Sequence, residues 1–104
     1  SYSAICDLSA SVQKAIIDVL VKKTLKAATK YNVKSILLGG GVAANQSLRD
    51  NFKFQISNFK LSARLFVPSK SLCTDNAAMI AAAAFFNNQT ISWQKLDANP
   101  NLYF

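Results

Sequence analysis

Two short stretches carry residue types that could do chemistry. All three glycines of the chain stand together at positions 39–41, inside the run ILLGGGVAAN at positions 36–45. An apolar strand, a glycine turn and then a helix start form a device for approaching an anion. Glycine lets a ligand touch the backbone, and the first N–H groups of a helix carry a partial positive charge. The pattern is neither GxGxxG nor GxxxxGK followed by Ser or Thr, so it is no dinucleotide fingerprint and no Walker A loop. A tight strand-to-helix turn that needs a positive φ accounts for the same glycines without any ligand.

The second stretch, SLCTDNAAMIA at positions 71–81, sets Thr74, Asp75 and Asn76 together where a helix is expected to open. An Asp there caps the helix and is stabilised by its dipole. Alternatively Asp75 ligates a metal, since a hard carboxylate suits divalent or ferric ions. One carboxylate cannot hold a catalytic metal alone.

The rest of the composition narrows the chemistry. The chain of 104 residues has no His, 12 Lys+Arg against 5 Asp, and an apolar fraction of 51%. His-based proton shuttles, Ser-His-Asp and Cys-His arrangements and a self-contained His metal site are therefore excluded within it. The charge of +7 favours polyanionic partners. Lys22, Lys26 and Lys30, with Lys23 nearby, would form a basic stripe on a helix, or simply a solvated face. Cys6 and Cys73 are too few for a disulfide framework and too far apart for a metal knuckle, so reduced thiols in a cytoplasmic setting are expected. The run from Ala77 to Phe86 is short of a membrane span, and no signal peptide is recognisable. Residue 1 is Ser, as expected of a processed chain or a piece of a longer one.

The elements that position the two stretches follow from periodicity. From Asp7, a candidate N-cap, to about Tyr31, Val12, Ile16, Val19 and Leu20 fall on one helical face, widened by Val21, Leu25 and Ala28. VKSILL at positions 33–38 predicts a buried strand stopped by the glycines. Asn45 can cap a helix to about Ser57, with Leu48, Phe52 and Ile56 inward and Arg49 and Lys53 elsewhere around it. LSARLFV at positions 61–67 is a second strand, ended by Pro68. Thr74 or Asp75 opens a third helix whose alanines predict close packing. The order helix-strand-helix-strand-helix is that of an α/β parallel sheet with crossover helices. Two such strands leave the sheet incomplete: further strands of a longer chain would finish it, or two copies would pair their exposed edges as a homodimer. Residues 1–88 read as the α/β portion. Residues 89–104 read as an irregular tail anchored by Trp93, whose last four residues, NLYF, equal part of a common protease tag site.

The pair GGGVAANQSLR (39–49) and CTDNAAMIA (73–81), in this order and at this separation, resembles the C-terminal region of the TsaD family, the tRNA threonylcarbamoyladenosine transferases long labelled O-sialoglycoprotein endopeptidases. DLSASVQKAIIDVLVKKT (7–24) also resembles the helix that precedes the glycine motif in that family. The resemblance implies the last part of the second lobe of an actin-like, Hsp70-like ATPase fold. It implies that Gly40, Gly41 and Asn45 lie against ATP or the threonylcarbamoyl-adenylate, and that Asp75 ligates an active-site metal, iron or zinc. The implied reaction moves the threonylcarbamoyl group to N6 of an adenosine in the tRNA anticodon loop, with tRNA and the accessory proteins of the modification complex as partners.

The chain departs from the family pattern in three places. The family's other metal ligands are two histidines of an HxxxH motif, absent here. Ala78 stands where glycine is usual in TDNGAMIA, and Val12 where Phe is frequent. The isolated chain is therefore expected to be inactive as a transferase. A non-catalytic module for self-association or for docking to the complex is the alternative. Peptidase chemistry has no nucleophile-base pair, complete zinc site or HExxH to carry it.

Overall fold

The structure, a computed structural model, describes residues 1–100, so the NLYF segment lies outside the described residues. They fall into two compact units, Ser1–Thr74 and a second that begins at Asp75. In the first unit α1 (Tyr2–Lys30) leads to β1 (Ser35–Leu37), a 3-10 turn (Gly41–Ala44), α2 (Gln46–Asn58), β2 (Arg64–Phe66) and a second 3-10 turn (Lys70–Leu72). The second unit holds α3 (Ala77–Asn87) and a 3-10 turn at Trp93–Lys95. The expected helix-strand-helix-strand-helix order is observed, and the chain is an α/β fragment.

The strands pair parallel in the register Ser35↔Arg64, Ile36↔Leu65 and Leu37↔Phe66, with α2 as the crossover that parallel pairing requires. Each helix before a strand ends in the same way. Asn32 takes a positive φ after α1 and Lys60 after α2. Val33 N–H then donates to Ala28 O, and Leu61 N–H donates to Ile56 O. These are Schellman caps, which satisfy orphan carbonyls and turn the chain straight into the strand.

The core forms where α1, α2 and β1 meet. Ile17, Val21, Leu25 and Ala28 of α1 pack with Ile36, Leu48, Phe52 and Ala63, and Phe52 is 2% exposed. Burying an aromatic side chain of this kind contributes about 1.5–3 kcal/mol from area alone. The opposite face of the two-stranded ribbon is open, with Leu37 74% and Phe66 51% exposed. Among the described residues the sheet has these two strands alone.

Four local expectations are corrected. First, α1 starts at Tyr2 with Ser1 at its N-cap, so Asp7 lies inside the helix rather than capping it. Positions 2–6 contain no Gly or Pro, and nothing there stops the helix. Second, Val12, Ile16 and Val19 are exposed, while Val21, Leu25 and Ala28, which widen the expected face, are buried together with Ile17. The helix is apolar on neighbouring faces, and α2 with β1 can cover only one of them. Third, α3 opens on Asn76, whose side chain accepts a hydrogen bond from Met79 N–H, so neither Thr74 nor Asp75 is the cap. Fourth, none of the α3 residues is buried, and Trp93, 79% exposed, anchors nothing among the described residues. An alanine field without one apolar stripe specifies no packing face by itself.

Lys22, Lys23, Lys26 and Lys30 are all exposed on α1. No helix of the described residues is long and apolar enough to cross a membrane.

Candidate functional site

The glycine turn stands at the carboxyl end of β1, the end of a parallel strand where ligands of α/β sheets bind. Gly40 is the N-cap of the 3-10 turn, with φ 78° and ψ 173°. That combination is open to glycine and closed to other residues. A Cβ added at Gly39 or Gly40 would meet nothing within 4 Å, so the turn presents bare backbone to open space. At Gly41 an added Cβ would lie 3.8 Å from Thr74 Cγ2, in ordinary contact. The conformation of Gly40 bears out the tight-turn explanation of the glycines.

Asn45 ends this turn and begins α2. Its Oδ1 accepts from Leu48 N–H at 2.9 Å and its Nδ2 donates to Gln13 Oε1 at 2.8 Å. The side chain thus caps α2 and ties the cap to α1. Gly40, Gly41 and Asn45 are brought together in one continuous turn. Beside it, Leu8, Val12, Ile16 and Leu20 of α1 face Val42 and Leu48 across a groove of about 590 Å³, a size typical of ligand pockets.

Arg49, one turn into α2, was placed by its sequence spacing only as a residue off the apolar face. In the structure it is the most connected polar side chain of the site. Its Nε donates to Ala43 O, and one Nη2 donates to Pro68 O at 2.9 Å and to Cys73 Sγ at 3.1 Å. It therefore joins the glycine turn, the end of β2 and the start of the second motif. The signal for it was the SLR that closes the first motif, since a guanidinium has five donors and suits backbone carbonyls that no ladder satisfies.

Cys73 is buried and Cys6 exposed, and both are free. The buried thiol also donates to Ser69 O at 3.5 Å. Asp75 is exposed and sits one residue before the α3 cap. Among the described residues no three His, Cys, Asp or Glu side chains come together to hold a metal.

A model of the TsaD family, tRNA N6-adenosine threonylcarbamoyltransferase, matches residues 1–82. Proteins named tRNA N6-adenosine threonylcarbamoyltransferase are similar throughout: one from Syntrophomonas wolfei is 47% identical over 98 residues and one from Anoxybacillus flavithermus 48% over 98. One from Halalkalibacterium halodurans is 50% identical over 98 residues. Each alignment covers 92% of this chain and 28% of the relative, so the chain spans little more than a quarter of the length of these proteins.

Proposed function

As the chain belongs to the TsaD family of tRNA N6-adenosine threonylcarbamoyltransferases, we propose that it is the C-terminal part of the second, actin-like lobe of such an enzyme. Its contribution is half of a nucleotide cleft. The observation that carries this is the glycine turn, with Gly40 in a glycine-only conformation and its free side bare, at the carboxyl end of β1. Backbone N–H groups of residues 40–42, which precede the amides of Ala43 and Asn45 that donate within the turn, hold the phosphate of ATP or of threonylcarbamoyl-adenylate, assisted by the start of α2. In the transfer, N6 of the tRNA adenosine attacks the carbamoyl carbon and AMP departs from it. The turn orients the departing phosphate and supports its charge.

Asp75 offers one carboxylate toward a metal whose other donors this chain does not carry, and no step here is routed through that metal. Without those donors the chain alone is inactive as a transferase. The net charge of +7 suits a tRNA partner, and the setting is cytoplasmic.

The test is an NMR titration of the 104-residue chain with a non-hydrolysable ATP analogue and magnesium. Shifts concentrated in the amides of residues 39–45 are the expected result. A folded sample that stays silent there would refute phosphate binding by the turn.

A second proposal, a self-association or docking module, is favoured by the uncovered α1 face at Leu8, Val12 and Ile16 and by the open side of the strand pair. Its occupants are a second copy or an accessory protein of the modification complex. Sedimentation of a strictly monomeric chain would remove the homodimer.

A further inference from the structure

We infer that Arg49 is the positioning residue of the glycine turn, and that its guanidinium couples this turn to the segment around Cys73. The inference rests on the proposal that the turn takes a nucleotide phosphate. Three acceptors from three separate pieces of chain converge on one side chain: Ala43 O in the turn, Pro68 O after β2, and Cys73 Sγ. Ala43 and Cys73 are both buried. A planar fork reaches all three at once, which a lysine ammonium on a flexible stem cannot do without giving up contacts.

The turn and the second motif meet a second time, where Gly41 faces the Thr74 methyl. A shift of the turn on binding phosphate therefore moves Ala43 O, pulls on the guanidinium and changes its hold on the Cys73 sulfur. Arg49 does not touch the ligand. It fixes the height of the turn and transmits its position to the residues that run into Asp75.

The experiment reads Cys73 directly. Cys6, exposed on α1, is replaced (Cys6→Ser) so that only Cys73 reacts. The rate constant for alkylation of the Cys73 thiolate by iodoacetamide, taken from the high-pH plateau so that thiolate fraction does not enter, is then measured in this background, in Arg49→Lys and in Arg49→Ala, each with and without the ATP analogue and magnesium. Without nucleotide, Arg49→Ala should react about tenfold faster, the factor that one hydrogen bond to a charged group is worth, and Arg49→Lys by less. Added guanidinium at millimolar concentration should slow Arg49→Ala again. With nucleotide, the rate in the Cys6→Ser chain should change several-fold, while Arg49→Lys, still binding by amide shifts at residues 39–45, should show no change.

Cys73 rates in both Arg49 variants equal to the background, with the same response to nucleotide, would overturn the inference. If Arg49→Ala does not fold, the Arg49→Lys comparison decides. If the analogue shifts nothing in the unmutated chain, phosphate binding fails, and the ligand-free rates still decide whether Arg49 holds the segment.

Discussion

Gly40 and Gly39 are adjacent, equally bare, and expected to respond oppositely to the same added methyl group. An added Cβ meets no atom within 4 Å at either position, so steric collision is absent from both and only backbone strain separates them. Gly40 has φ 78° and ψ 173°, a region essentially reserved to glycine, and forcing alanine into it costs about 1–3 kcal/mol. Gly39 is not among the positive-φ residues. Alanine there loses nothing in the folded state and narrows the unfolded ensemble, a gain of up to about 0.4–1 kcal/mol. For a domain of about 60–100 residues each kcal/mol moves Tm by about 4–8 °C. Gly40→Ala should therefore melt clearly below the parent chain and Gly39→Ala at or slightly above it, by circular dichroism and by urea titration. Two variants with the same Tm would refute the claim that the turn is specified by the conformation of Gly40. The pair also separates folding from binding, because Gly39→Ala should keep its stability and still lose affinity for the ATP analogue, its new methyl standing where the phosphate approaches.

Phe52→Ala should cost about 3–5 kcal/mol, since Phe52 is the largest fully buried side chain, and urea unfolding should show the cooperative transition weakened or lost. Asn45→Ala should lose about 1 kcal/mol through the α2 cap, whereas Asn45→Asp keeps the acceptor for Leu48 N–H and should stay close to parent stability while weakening nucleotide binding by adding a negative charge; melting and the amide titration distinguish the two. The hydrogen bond from Lys14, 2.6 Å from Asp18, holds the Asp18 carboxyl below its ordinary value, with the Lys14 and Lys22 charges adding to it. A carboxyl with a lowered folded pKa stabilises the fold above its unfolded value of about 3.9 and loses that contribution as pH falls through the folded value. Carbon-detected NMR titration should show Asp18 ionising below the ordinary carboxylate range, and Lys14→Met should return it upward.

Where one residue type has one plausible use, the sequence was legible. Asn45 before Leu48, Phe52 and Ile56 announced both a cap and an inward face, and β-branched residues ahead of three glycines announced a strand and its stop. The parallel order of elements followed from the alternation of periods. Other features were hidden because several answers fit the same letters. The α1 segment is apolar on neighbouring faces, so its period placed Val21, Leu25 and Ala28 inward but could not say that Ile17 would join them and Val12 and Ile16 be left exposed. Thr74, Asp75 and Asn76 are all good capping residues, and only the backbone selects Asn76. Lys60 in a left-handed conformation has no sequence signature, unlike Asn32 at the equivalent point after α1. Arg49 was hidden for a different reason: its three acceptors are backbone and thiol atoms brought together by the fold, and a carbonyl leaves no mark in the sequence.

The parallel pairing of β1 with β2 also sets a timetable for the nascent chain. The main-chain donors and acceptors of Ile36 that face its neighbour have no partner until Leu65 has been synthesised, and α2 must form and double back before the two can meet. Such distant pairing is slow compared with helix formation. During this interval α1 is complete, its buried row has at most α2 to pack against, and Ile36 sits at an unpaired edge. A chain stalled after α2 should therefore be the species that chaperones retain and that aggregates on release, whereas one that has passed Phe66 should close its core and escape both fates.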